Sequence, residues 1–191
     1  MRTIPALSLV LLGAACASSG STAASAPPST TARAPVTETL RIEGGGTFGT
    51  SVTTATTTKT LPFSIDQVWR VLPAVYDSLG IPVATLDAAS HTVGNDGFKT
   101  RFRLRKVSLS RYLDCGSSPA GPSADDYEVT MAVHTQLAPG AASSTTATTT
   151  LEASAKPVQF SQPPTRCSSR GVLEPRVGDL IATLLAAGVK R

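Results

Sequence analysis

The chain is 191 residues long, 41% hydrophobic and 16% charged, with 15 Gly and 14 Pro, which leaves room for one domain of about 100 to 150 residues plus irregular appendages and excludes a multidomain enzyme. Aromatic residues make up 5% and Trp occurs once, so the core must come mainly from Val, Leu, Ile, Ala and Thr, a composition suited to strands. A net charge of +4 falls short of the dense Lys/Arg clustering of a nucleic-acid-binding domain, and two His with three Cys offer little material for a metal or catalytic site.

Arg2 precedes the apolar run Ile4, Ala6, Leu7, Leu9, Val10, Leu11 and Leu12, which closes in Gly13, Ala14 and Ala15 before Cys16. A helix needs roughly 20 apolar residues to cross a hydrocarbon core, so this shorter run reads as an export signal over residues 1–15. Small residues set directly before a Cys resemble the lipobox of bacterial lipoproteins, with Gly13 standing where that family favours Leu. The resemblance implies a lipid on the Cys16 thiol, hence a membrane partner and a place at the cell envelope, outside the cytoplasm. The triplet Ala15, Cys16, Ala17 fits ordinary signal cleavage as well, which would release a secreted soluble protein. Residues 16–36 are rich in Ala, Ser, Thr and Pro, with Arg33 as their one charge. They lack the apolar area to offset ordering and read as a flexible tether.

The folded domain is expected over residues 37–191. Thr37 to Glu43 alternates polar and apolar and runs into Gly44, Gly45 and Gly46, which predicts a short strand and a turn, and Thr50 to Leu61 predicts a second strand. Ser64, Ile65, Asp66 and Gln67 fit an S-x-x-Q capping box. The helix that follows gathers Ile65, Val68, Trp69, Leu72, Val75, Tyr76 and Leu79 on one face, with Pro73 expected to kink it and Gly80 and Pro82 to end it. The period then changes to two: Val83 to Asp87, a turn at Ala88 to Ser90, His91 to Val93, and a turn signal at Asn95, Asp96 and Gly97. Next, Phe98, Thr100, Phe102 and Leu104 alternate with Lys99, Arg101, Arg103 and Arg105. Tyr127 to Leu137 and Thr145 to Ala155 predict two more strands. After a Pro-rich loop, Leu173, Val177, Leu180, Ile181, Leu184 and Leu185 mark a second helix that stops near Gly188. This order predicts an α+β fold, an antiparallel sheet of about five to six strands with two helices packed on one face. The element order and the Trp69 helix resemble the helix-grip domains of outer-membrane assembly lipoproteins. That resemblance implies a noncatalytic accessory role at the envelope.

With Cys16 lipidated or cleaved off, Cys115 and Cys167 remain, an even number in an exported chain, which favours a disulfide between them. Lys99, Arg101, Arg103 and Arg105 are expected on one strand face at about 7 Å intervals. Such a row suits anionic headgroups, phosphorylated wall polymers or an acidic envelope protein, and equally suits a solvated sheet face. Gly44, Gly46 and Gly49 satisfy G-x-G-x-x-G, but a strand follows them where a nucleotide fingerprint must open a helix. His91 and His134 fall on separate strands, and Asp125 and Asp126, being adjacent, point apart. No catalytic residue, metal or cofactor is therefore expected. The leading functional expectation is an accessory or protein-interaction module. The alternative is a secreted ligand-binding module with an apolar groove between helix and sheet, beneath Trp69.

Overall fold

Two strands open the computed structural model, which describes residues 30–42, 46–159 and 161–189. The signal segment, Cys16 and the tether as far as residue 29 lie outside the described residues. Strand β1 (Thr30–Ile42) runs antiparallel to β2 (Gly46–Leu61), with Thr30 opposite Thr58 and Ile42 opposite Gly46. It begins at Thr30, inside the stretch read as tether, because the β-branched Thr30, Thr31 and Val36 favour extension and Pro35 is tolerated at the sheet edge that β1 occupies.

Helix α1 (Ile65–Leu79) is capped as its sequence requires. Ser64 Oγ accepts from the Gln67 backbone N–H at 3.4 Å, and Gln67 Oε1 accepts from the Ser64 N–H at 3.0 Å. The helix is continuous through Pro73 and stops where Gly80 turns left-handed at φ 77°. There the Gly80 and Ile81 N–H groups donate to Asp77 and Tyr76 carbonyls, both at 2.9 Å, in a Schellman closure.

Strands β3 (Thr85–Asp87) and β4 (Thr92–Arg101) follow. The Asn95, Asp96, Gly97 turn signal does not turn the chain. Val133 lies opposite Asn95 and Met131 opposite Phe98, so Asp96 and Gly97 together face Ala132 as a β-bulge inside β4. Asn95 supports the bulge: its Nδ2 donates to Pro82 O at 2.8 Å and its Oδ1 accepts from the Gly97 N–H at 2.9 Å. Local bonds that would otherwise make a turn here satisfy the irregular ladder.

The alternation expected from Phe98 to Leu104 also stops early. Phe102 (φ 63°) and Arg105 (φ 55°) are left-handed, so β4 ends at Arg101 and the chain folds into a tight hairpin, Arg103–Leu104 against Val107–Ser108. It continues through a 3-10 turn (Leu109–Arg111), β5 (Leu113–Asp114), a small hairpin (Ser117–Ser118 with Gly121–Pro122) and a one-turn helix (Ser123–Asp126). Strands β6 (Glu128–Pro139) and β7 (Thr145–Lys156), then β8 (Thr165–Ser169) and helix α2 (Leu173–Val189), complete the domain.

The main sheet is antiparallel, ordered β1-β2-β7-β6-β4-β3. Strand β2 pairs with β7 along Thr145 to Leu151, and β8 takes over along Ala153 to Ala155 while also pairing with β5. The fold is thus α+β with two long helices on one sheet face, and the short strand β8 comes from the stretch that reads as a Pro-rich loop.

Both helices pack against the same face and against each other. Val129, Met131 and Val133 of β6 and Leu151 of β7 meet Val68, Leu72, Val75 and Tyr76 of α1 and Leu173, Val177 and Ile181 of α2, all at 1% exposure or less. These side chains pack together where the apolar groove anticipated between helix and sheet would lie. One polar thread crosses this core. The Tyr76 hydroxyl lies 3.1 Å from Val93 O and 2.9 Å from Thr135 Oγ1, which is itself 2.9 Å from Thr149 Oγ1. Trp69, expected in the core stripe, is only half-buried and meets the His91 ring edge-on at 5.6 Å between centroids.

Candidate interaction site

Because Val129, Met131 and Val133 point into the core, their neighbours Glu128, Thr130, Ala132 and His134 stand on the opposite face of the sheet, away from the helices. Strand register then sets two rows across that face. Arg101, Glu128 and Lys156 are directly opposite one another in the first, and Lys99, Thr130, Ser154 and Arg166 in the second. Strands lie about 4.8 Å apart and same-face residues about 7 Å apart along a strand, so four cations frame the Thr130 and Ser154 hydroxyls in a patch about 14 Å by 7 Å.

Lys99 Nζ sits 2.8 Å from Glu128 Oε1, with side chains 69% and 37% exposed. That hydrogen bond holds the Glu128 carboxyl below the usual carboxylate range against a smaller opposing desolvation, and the nearby charges of Lys99, Arg101 and Lys156 lower it further.

The four cations read from sequence as one stripe are divided by the structure. Lys99 and Arg101 lie on β4, whereas Arg103 belongs to the following hairpin. Arg105 turns back to α1: its guanidinium donates to the Asp77 carbonyl and lies 3.5 Å from the Asp77 carboxylate, a cation at a helix C-terminus. The chain's early exit from β4 at Phe102 is the reason. Lys156 and Arg166, which replace the two lost members, escaped sequence reasoning because only the pairing of β6, β7 and β8 brings them alongside.

Beyond the first row, the ends of β4, β6 and β7 open into a cleft of about 360 Å³. Arg101 stands at its rim, Pro119, Tyr127, Pro157 and Val158 form its apolar walls, and Asp126 accepts from Ser118 Oγ at 3.0 Å within it. Phe102 is 52% exposed beside it, and the Arg101 guanidinium carbon lies 4.9 Å from its ring centroid. A shallower depression of about 170 Å³ lies on the second row's other side, between Thr130, Ala132, Glu152, Ser154 and Arg166. Asp96 reaches its edge and pairs with His134 Nε2 at 3.2 Å.

Cys115 and Cys167 form a disulfide with Cα atoms 4.2 Å apart, joining the end of β5 to β8. Asp125 accepts from the Ser110 N–H at 2.9 Å, so it holds the turn after the hairpin while Asp126 faces the cleft. His91 and His134 stand apart, one on Trp69 and the other on Asp96. Among the described residues, no group of three or more His, Cys, Asp or Glu side chains is placed to hold a metal ion, and no helix is long and apolar enough to cross a membrane. Compared with known proteins, the chain matches no family model, no curated protein and no solved structure.

Proposed function

We propose that the protein is an envelope lipoprotein anchored through Cys16, whose domain is a noncatalytic accessory module that docks a partner protein on the sheet face away from its helices. One contrast carries this reading. The interior between helices and sheet is filled by side chains at 1% exposure or less, whereas the opposite face presents cations from three strands beside an apolar cleft. A carrier of small apolar ligands would need its space where Leu72, Val75 and Tyr76 stand. The Cys115–Cys167 disulfide supports an oxidising compartment, and the export signal supports the same placement.

Intact mass spectrometry of the protein purified from its native membranes, with and without reductant, tests the reading. The expected mature chain starts at Cys16, carries acyl chains and gains two hydrogens on reduction. Recovery of the full-length chain from the soluble cell interior with both sulfurs reduced would refute it.

A further inference from the structure

We infer that the two cationic rows and the adjoining cleft form one groove for an extended acidic segment of a protein partner, with carboxylates on Lys99, Arg101 and Lys156 and an apolar side chain in the cleft. This names the partner's chemistry and rests on the docking reading above.

Lys99, Arg101 and Lys156 surround one carboxylate, Glu128, so this end of the face carries an excess of positive charge that suits anions. The spacing of the rows along the strands, about 7 Å, is also the repeat between alternate side chains of an extended chain. A segment lying parallel to β6 therefore sets residues i and i+2 over successive rows without adjustment. Arg101 faces both the row and the cleft mouth, and its planar fork suits a carboxylate. The cleft, at about 360 Å³, falls at the small end of ligand pockets, in keeping with a side chain rather than a large cofactor. Pro119, Tyr127, Pro157 and Val158 give it the apolar walls such a side chain prefers.

The entry point of the chain lies away from the cations, and the vesicle arm of the test below separates a protein partner from a membrane surface. Strand β1 starts at Thr30, which lines up through Thr58 and Thr148 with Gln136. The cations begin at Glu128, eight residues along β6 from Gln136, a distance of about 27 Å. The chain thus enters the sheet at the end remote from the cations.

The test uses the oxidised domain on an array of pentapeptides with randomised acidic, basic, apolar and neutral positions, together with sedimentation of pure phosphatidylglycerol vesicles. Wild type should select acidic residues two apart next to an apolar one. The variant Lys99→Gln/Arg101→Gln/Lys156→Gln should bind the selected peptides about tenfold more weakly, three exposed ion pairs lost. A second variant, Val158→Asp, should lose the apolar preference and keep the acidic one. Unchanged melting temperatures establish that both variants fold. No acidic selection by wild type, equal binding by the triple variant, or preferential binding of the vesicles would each overturn the inference. A photo-crosslinker at Thr130 in the native envelope separates the two readings: an adduct on a partner lacking an acidic segment sinks only the groove, and no protein adduct sinks the docking module itself.

Discussion

Replacing Tyr76 by Phe removes one oxygen from the middle of a buried hydrogen-bonded chain, and the donor inventory fixes what is lost. Val93 O can only accept, so the phenol proton goes to it, at 3.1 Å; the phenol oxygen then accepts from Thr135 Oγ1 at 2.9 Å, and Thr135 accepts from Thr149. Tyr76→Phe leaves the Thr135 proton facing a ring edge at a position with 0% exposure, a penalty of about 1 to 3 kcal/mol. We expect a loss of about 2 kcal/mol in urea unfolding and a melting temperature lower by about 4 to 8 °C, at 2 to 4 °C per kcal/mol for a domain of this size. Thr135→Val added to Tyr76→Phe removes the stranded donor, so the double variant should be about 1 kcal/mol more stable than the sum of the single losses. The variants also differ in pH response. Burial pushes the Tyr76 phenol well above its ordinary value, so the contribution is fully present below about pH 10 and lost above it, where the unfolded chain releases a proton the folded chain keeps. Wild type should lose stability there by up to about 1.4 kcal/mol per pH unit more than Tyr76→Phe does. Additive single losses, or parallel alkaline limbs for the two proteins, would refute the proton chain.

Three further outcomes follow from the geometry. Cys115 and Cys167 are 52 residues apart, so replacing both with Ser should lower stability by on the order of 4 kcal/mol; reductant should shift the urea midpoint of wild type and leave that of the double variant in place. A Cβ at Gly94 would lie 2.6 Å from Val133 O, so Gly94→Ala forces β4 away from β6 and should destabilise by about 1 to 3 kcal/mol in the same assay, as overpacking does. Lys99→Met should let the Glu128 carboxyl titrate higher in an NMR pH series, because its depression comes first from the Lys99 hydrogen bond. The stability that this depression confers is present above the ordinary carboxylate value and lost as pH falls through the lower folded value, so the acid limb of the variant should be flatter.

Elements whose signals are local were legible in the sequence. The Ser64/Gln67 box and Gly80 bound α1 as read, because caps act within a few residues. The period-two runs from Tyr127 and Thr145 became β6, which starts one residue later at Glu128, and β7. Signals that are local but serve more than one geometry misled: Asn95, Asp96 and Gly97 build a bulge because β6 continues past them, and a turn would have broken that pairing. The basic stripe failed for the opposite reason. Alternation alone cannot register that Phe102 and Arg105 adopt positive φ, which sends Arg103 and Arg105 elsewhere. Register was hidden as well. The two T-T-A-T-T-T runs, from Thr53 and from Thr145, lie on paired strands with Thr56 opposite Thr150 and Thr58 opposite Thr148, a partnership that neither run announces. The same hidden pairing carries Lys156 and Arg166 to the candidate site.

That pairing also has a temporal side. Thr56 and Thr150 share a hydroxyl contact although 94 positions separate them, so the centre of the sheet is stitched from opposite ends of the polypeptide. At about 5 to 20 residues per second, β2 leaves the ribosome roughly 5 to 20 s before its neighbour exists. Throughout that wait the nascent chain can hold at most α1 and the strands up to β6, and the sheet closes only once β7 arrives.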